Sequence, residues 1–365
     1  MSLIKDIYTP AFYNRFADVV TPVIPFFEKD TFVKMILTES FTNMEWKERM
    51  LHTTKVFHHF LPAAFPEAAP LLLKTVDALL EQGWGEDGLA FVFLPEYVAL
   101  YGLEDLAVAV PVLERLTQFV SCEFAVRPFL LKYGTDMIHE MTKWSLHPNH
   151  KVRRLASEGS RPRLPWGIAI PSLKKDPLPI LPLLENLKND PSEWVRRSVA
   201  NNLNDIAKDN PAVVLEIAHK WKGHSKETDA IIKHGCRTLL KQGHTEVLSY
   251  YGLQSSFISV KGFEIRTTKV KMGDTLEFAM VVTNTHTQSQ IVRLEYGIYY
   301  LKANGSLNRK VFKISEREYK AGESITVVKR HSFKPITTRV FYAGMHQVSV
   351  IINGVEMAIS SFTLV

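Results

Sequence analysis

Residues 147–167, HPNHKVRRLASEGSRPRLPWG, and residues 189–205, NDPSEWVRRSVANNLND, carry the same pattern twice, and the fold follows from that repetition. Pro148, Val152, Arg153 and Arg154 recur 43 positions later as Pro191, Val195, Arg196 and Arg197. A period of about 40–47 residues belongs to HEAT-type arrays, in which each helix pair buries its apolar stripe against the next repeat. In the second copy Asp190-Pro191-Ser192-Glu193 reads as N-cap, first-turn proline and capping-box glutamate. A helix is therefore predicted from Pro191 and, by analogy, another from Pro148. Val195, Val199 and Ile206 would share the packing face of the second helix. Arg197, Asn201 and Asp205 form a row on a different face, echoed by Arg154 and Glu158 on the first helix. Between the two, Arg161-Pro-Arg-Leu-Pro-Trp166-Gly is too rich in proline to continue a helix, so Trp166 is expected on a loop beside both rows.

Working outward, Val126-Arg127 and Cys236-Arg237 extend the series to four repeat starts. Residues 1–125 read as helices, with Pro62, Pro66 and Pro70 breaking the run before Leu71–Leu80 and glycines marking a loop at Gln82–Gly88. Phe91–Leu100 and Leu103–Val120 follow as apolar helices, and a last one starts near Gln242 and ends near Gly252. The period then falls to two. Phe257–Lys269, Thr275–Thr283, Ile291–Leu301, Lys310–Ser315, Ser324–Phe333, Gly344–Ile352 and Glu356–Leu364 alternate and are rich in β-branched and aromatic residues. Asn353-Gly354 between two such runs is a hairpin signal. The count and spacing are those of an immunoglobulin-like sandwich, without the cysteine bridge of antibody domains. The fold class is thus multidomain α + β: an N-terminal all-α HEAT-like repeat superhelix over residues 1–254, followed by an all-β immunoglobulin-like sandwich over residues 255–365.

Composition narrows the function. The two cysteines, Cys122 and Cys236, make no disulfide framework, and neither a secretory signal nor a run long enough to span a membrane occurs, so a cytoplasmic protein is expected. Residues 1–126 carry 9 Lys and Arg against 17 Asp and Glu, whereas residues 127–241 carry 20 against 12 and residues 256–365 carry 15 against 8. A polyanion is the simplest partner for positive charge gathered in the later repeats and the sandwich; the plainer alternative is a solvated surface. His52, His58 and His59 complete no metal-ligand pattern. Neither a phosphate-binding glycine loop nor a Ser/His nucleophile pattern is present. An enzyme built from this chain would work by hydrolysis without a cofactor; a non-catalytic DNA-binding HEAT adaptor is the competing reading.

The acidic residues among the arginines weigh toward the enzyme. Glu158 and Asp205 sit on the two helix rows, and Glu123 lies just before a repeat start. A carboxylate in a polyanion groove opposes binding, unless it serves as a local ion pair such as Arg154–Glu158, contributing about 0.3–0.5 kcal/mol on a helix surface, or, for Glu123, caps or pairs with Arg127. Taken together, Glu123 and VRRLASEGSRPRLPW…DPSEWVRRSVANNLND resemble the AlkC-type DNA glycosylases of the HEAT-like AlkC/AlkD superfamily, specifically over about residues 120–240. Some AlkC proteins also carry a C-terminal immunoglobulin-like domain. The resemblance implies excision of cationic alkylated bases, chiefly 3-methyladenine and 3-methylcytosine, from double-stranded DNA by a monomer, without base flipping, cofactor or obligate protein partner. Under it Glu123, Glu158 and Asp205 would form a catalytic acidic cluster, with Asp205 orienting the attacking water, and Trp166 would offer an aromatic face to the lesion. Arg153, Arg154, Arg161, Arg163, Arg196 and Arg197 would hold the flanking phosphates. The sandwich is expected to wrap the duplex through a turn at 303–309 or 334–344.

Overall fold

A computed structural model describes residues 4–85, 88–336 and 339–365. Glu86 and Asp87 of the expected Gln82–Gly88 loop, and Thr337 and Thr338 of the 334–344 turn, lie outside the described residues. The chain divides into two compact units, Met1–Gly235 and Cys236–Val365.

The first unit opens with α1 (Pro10–Val20), α2 (Lys29–Ile36), α3 (Trp46–His58), α4 (Phe65–Glu81), α5 (Phe93–Tyr101) and α6 (Leu106–Leu116). Each apolar stripe turns inward, and Tyr13, Phe16, Phe32, Phe57 and Phe93 are sealed in one aromatic core. Helix α4 begins at Phe65, not after Pro70. Pro66 sits in its first turn, where a missing N–H costs nothing, and Pro70 forfeits one bond while Ala68, Ala69, Leu72, Val76 and Leu79 are buried around it.

The unit continues with α7 (Val126–Tyr133), α8 (Thr135–Trp144), α9 (His150–Gly159), α10 (Pro171–Lys175), α11 (Leu181–Leu187), α12 (Glu193–Ile206), α13 (Pro211–Trp221) and α14 (Lys226–Gly235). The two repeated helices, α9 and α12, start two residues later than the proline pattern predicts. Asn149 caps α9, its Oδ1 accepting from Lys151 N at 2.9 Å. Asp190 is likewise not the cap of α12: its Oδ1 accepts from Ser192 N at 2.8 Å, closing an Asx turn ahead of the helix. Pro148 and Pro191 therefore rigidify the entry turns. Val152, Val195 and Val199 are fully buried, as the repeat requires. Helix α12 packs between α9 and α14, so α14 is the third element of the stack. Gly159 ends α9 where a Cβ would come within 2.5 Å of Val126 Cγ2; the close approach of α7 and α9 depends on its having none.

The second unit starts with α15 (Arg237–Gln242) and α16 (Thr245–Tyr250), then β1 (Ile258–Ile265), β2 (Lys269–Val270), β3 (Thr275–Asn284), β4 (Gln290–Leu301), β5 (Leu307–Tyr319), β6 (Ser324–Ser332), β7 (Gly344–Ile352) and β8 (Val355–Leu364). Sheets in the orders β1-β3-β6 and β2-β8-β7-β4-β5 face each other over a core that includes Phe278, Val282, Leu294, Ile298, Phe333 and Val350. The first expected run splits because the chain changes sheets: β1 pairs with β3, whereas β2 runs parallel to β8. Asn353 and Gly354 take φ of 47° and 78°, the backbone of a tight hairpin turn. Asn353 Nδ2 also donates to Gln254 O at 2.6 Å, and Gly354 lies so close to Gly243 that a Cβ on either would sit 2.7 Å from the other's backbone. These contacts fix α15 and α16 to the sandwich, which is why the compact units divide ahead of the change in period at residue 254.

His331, on β6, is held between the Tyr296 and Tyr300 hydroxyls at 2.9 and 2.8 Å. Burial, reinforced by Arg339, Lys310 and Lys329, pushes its pKa down to about 4. A depressed imidazole contributes stability that is full above its unfolded value, about 6.5, and lost as pH falls through about 4. Amide exchange in β4 and β6, corrected for intrinsic rates, should lose protection across that window; constant protection from pH 7 to 4 would contradict it.

Candidate active site

The carboxylates and arginines of the repeated stretch form one linked chain across α9, the loop after it and α12. Arg154 Nη1 donates to Glu123 Oε2 at 2.7 Å, and its Nη2 lies 3.9 Å from Glu158 Oε1. Arg161 Nη1 donates to the same Glu158 oxygen at 2.7 Å, and Arg161 Nε to Asp205 Oδ2 at 2.8 Å. Ser198 Oγ donates to Glu158 Oε2 at 2.6 Å, and Lys208 Nζ to Asp205 Oδ1 at 2.7 Å. Ser121 Oγ donates to Glu123 Oε2 at 2.8 Å. Glu123, Glu158 and Asp205 are thus brought together, ordered Glu123–Arg154–Glu158–Arg161–Asp205, with side-chain exposure falling from 17% to 8% to 1% along the row.

Asp205, the most enclosed of the three, accepts one bond on each oxygen and anchors Arg161. Glu123 pairs with Arg154, not with Arg127. Its Oε2 takes both recorded bonds, and among the described residues nothing bonds Oε1. The open end of the row is Glu123.

Arg127, marked in the sequence only as a repeat start, is fully buried behind this row. Its Nη1 donates to Gly159 O at 2.9 Å and its Nε to Ile168 O, so one guanidinium ties down both ends of the loop that carries Trp166. Burial and the nearby Arg161 push its pKa down to about 10, against the pull of Asp205, Glu123 and Glu158. Trp166 takes φ of 64°, a left-handed conformation costing a tryptophan roughly 1–2 kcal/mol. Lys47 Nζ bonds its carbonyl, and the Trp46 ring lies 6.1 Å away. The indole is 63% exposed. Strain held at an exposed aromatic side chain, by a buried arginine and a lysine, marks a positioned group.

The six arginines expected on phosphates separate by geometry. Arg153 grips Asp190 at 2.6 and 3.0 Å and donates to the carbonyls of His147 and Pro148. Arg196, its repeat equivalent, donates to the carbonyls of Asp190 and Pro191 at 2.7 and 2.9 Å. Both brace the entry turns of their helices, and Arg161 is enclosed between carboxylates, so these three are engaged within the fold. Arg154 lies under the Trp194 ring, 4.2 Å from its centroid, and its charge is directed at Glu123. Arg163 and Arg197 reach the surface, paired with Asp209 and Glu193. Arg153 and Arg196 occupy one repeat position and do one job, bracing the turn ahead of their helix.

Comparison with known proteins agrees with this architecture. Residues 180–209 match the HEAT repeat family, and residues 259–365 match the family described as the C-terminal Ig-like domain of the uncharacterised protein YhaZ. The chain is 41% identical over 355 residues to uncharacterized protein YhaZ of Bacillus subtilis (strain 168), covering 97% of each. It superposes with a TM-score of 0.93 and 32% identity over the whole of both chains on Pseudomonas fluorescens alkylpurine DNA glycosylase AlkC, solved bound to DNA containing an abasic site analog. Among the described residues no helix is long and apolar enough to cross a membrane. A HEAT-like array, an immunoglobulin-like domain and full-length correspondence at this identity place the chain in the family of AlkC-type alkylpurine DNA glycosylases.

Proposed function

We propose that this protein is a monofunctional DNA glycosylase that hydrolyses the N-glycosidic bond of cationic alkylated bases, 3-methyladenine and 3-methylcytosine, in double-stranded DNA. It would act in the cytoplasm as a monomer and without extruding the base. The observation that carries the reading is the carboxylate row with its open end at Glu123 Oε1 beside a loop that presents Trp166. An alkylated base already bears positive charge, so it departs with the electron pair of the C1′–N bond and needs little protonation. The barrier is the oxocarbenium-like sugar left behind. Negative charge that is fixed before the reaction stabilises that cation more than the ground state. Lys208 bonds Asp205 and Arg127 lies behind the row, so the carboxylate left with an open oxygen is Glu123, at the other end. Glu123 would hold the water that adds to C1′ and take its proton. Glu158, fixed by Arg161 and Ser198, would supply field, and Trp166 would contact the lesion or its deoxyribose.

Both candidate turns of the sandwich serve the same reading. Lys302, Arg309, Lys310 and Arg339 line one recess of about 230 Å³ together with Tyr300 and Tyr342, and this recess fits a backbone phosphate. The test is release of free 3-methyladenine from methylated duplex DNA by the purified protein. Salt-sensitive duplex binding without release would instead make the carboxylates structural and the protein a DNA-binding adaptor.

A further inference from the structure

Trp166 also walls a recess of about 230 Å³ whose lining includes none of Glu123, Glu158 and Asp205. Its walls are Trp46, Met50, Phe124 and Trp166, and its polar groups are Lys47 and Glu96. The Trp46 and Trp166 rings are inclined at 47°, and the Lys47 ammonium sits 5.8 Å from the Phe124 ring centre while bonding the Trp166 carbonyl. Lys47 is therefore already committed to the wall. Glu96 is different. Among the described residues its carboxylate has neither a hydrogen bond nor an ion pair, although it is half-buried on α5. Burial raises its pKa, and Lys47 only partly offsets this.

A carboxylate left unpaired in a partly apolar recess is costly unless something else completes it. Aromatic walls with one or two convergent polar groups and a perturbed acid are the signature of a small-molecule site, and the volume here is below that of drug-sized pockets. Flat rings are what such walls accept by stacking. A carboxylate that only accepts hydrogen bonds selects for an N–H donor at the ring edge. Adenine- and cytosine-type bases carry an exocyclic amino group where hypoxanthine and thymine carry a carbonyl oxygen, which a carboxylate repels; those two keep only ring N–H donors and must turn to present them.

We infer that the recess bounded by Trp46, Phe124 and Trp166 is a binding site for a free nucleobase bearing an exocyclic amine, the amine donating to Glu96. The occupant is the released alkylated base, which this site receives across the Trp166 ring. This identity of the occupant rests on the glycosylase reading; the recognition chemistry does not. None of the three carboxylates lines the site, so it holds the product after the bond is broken and takes no part in breaking it.

The experiment titrates the full-length protein, without DNA, with 3-methyladenine, adenine and hypoxanthine, following tryptophan fluorescence. Saturable quenching by the two amino bases is expected, with hypoxanthine at least tenfold weaker. Glu96→Ala should weaken the amino bases at least tenfold and remove their advantage over hypoxanthine, while single-turnover release from methylated duplex stays within about twofold of wild type. The adenine–hypoxanthine comparison needs only wild-type protein and so stands if the variant fails to fold. Absence of saturable quenching, or equal affinity for adenine and hypoxanthine, overturns the site. Base release from DNA with no binding of free base sinks the site alone and leaves the glycosylase reading in place. Binding of free amino bases with no release from DNA sinks that reading and leaves the site standing.

Discussion

Glu123→Gln is expected to slow release of 3-methyladenine from methylated duplex by on the order of 10²–10³-fold while leaving the protein folded, the range seen when one preorganised electrostatic group is removed from a transition state. The substitution keeps the shape and the side-chain oxygen that Arg154 and Ser121 bond at 2.7 and 2.8 Å. What it removes is the charge at the open end of the row. Duplex binding supplies the sign check. A carboxylate facing a phosphate backbone opposes association, so the neutral variant should bind undamaged duplex as tightly as wild type or more tightly. Slower chemistry with unweakened binding separates a charge acting on the transition state from one that merely shapes the groove. Release within threefold of wild type would remove Glu123 from its proposed role. Asp205→Asn provides the contrast: it too should lose activity, but with a lowered melting temperature, because its oxygens hold Arg161 inside the fold and Lys208 at its edge.

The sequence made the elements legible because periodicity is a local property. Val152 and Val195 sit one repeat apart on the same packing face, and alternation between residues 257 and 364 places the strands within a few residues of their observed bounds. Two kinds of information were not local. The first concerns which partner a charged side chain finds. Arg153, Arg154, Arg161 and Arg196 look alike in the chain, yet a turn carbonyl, Glu123, a pair of buried carboxylates and another turn carbonyl claim them respectively. The packing of the helices and the geometry of their entry turns decide this. The second is contact across long separation. Arg127 reaches Ile168, 41 residues on, and Lys47 reaches Trp166, 119 residues on, so the loop that carries the tryptophan is held by residues no motif includes. The helix starts shifted for a simpler reason: Asp-Pro and Asn-containing turns satisfy their own backbone before the helix begins, a competition that composition alone does not resolve.

Arg161→Ala should be the most destabilising single change in the row, at about 3–5 kcal/mol, the usual cost of breaking a buried ion pair from one side. The guanidinium bonds Glu158 at 2.7 Å and Asp205 at 2.8 Å, and all three side chains are buried. Its loss leaves Glu158 with Ser198 and a distant Arg154, and Asp205 with Lys208, in a place water does not reach. All six tryptophans, Trp46, Trp84, Trp144, Trp166, Trp194 and Trp221, lie in the first unit, so fluorescence melting reads this unit by itself. The midpoint should fall by roughly 6–20 °C, scaling 2–4 °C per kcal/mol for a unit of this size. Arg163→Ala is the control. That side chain makes a two-bonded pair with Asp209 of similar length, but at the surface, where such pairs contribute less than about 1 kcal/mol. Equal melting temperatures for the two variants would mean that burial does not distinguish the pairs. Neutralising the orphaned carboxylates with Glu158→Gln and Asp205→Asn in the Arg161→Met background should return much of the lost stability and none of the activity. Stability depends on the charges being matched; the proposed chemistry depends on their being negative.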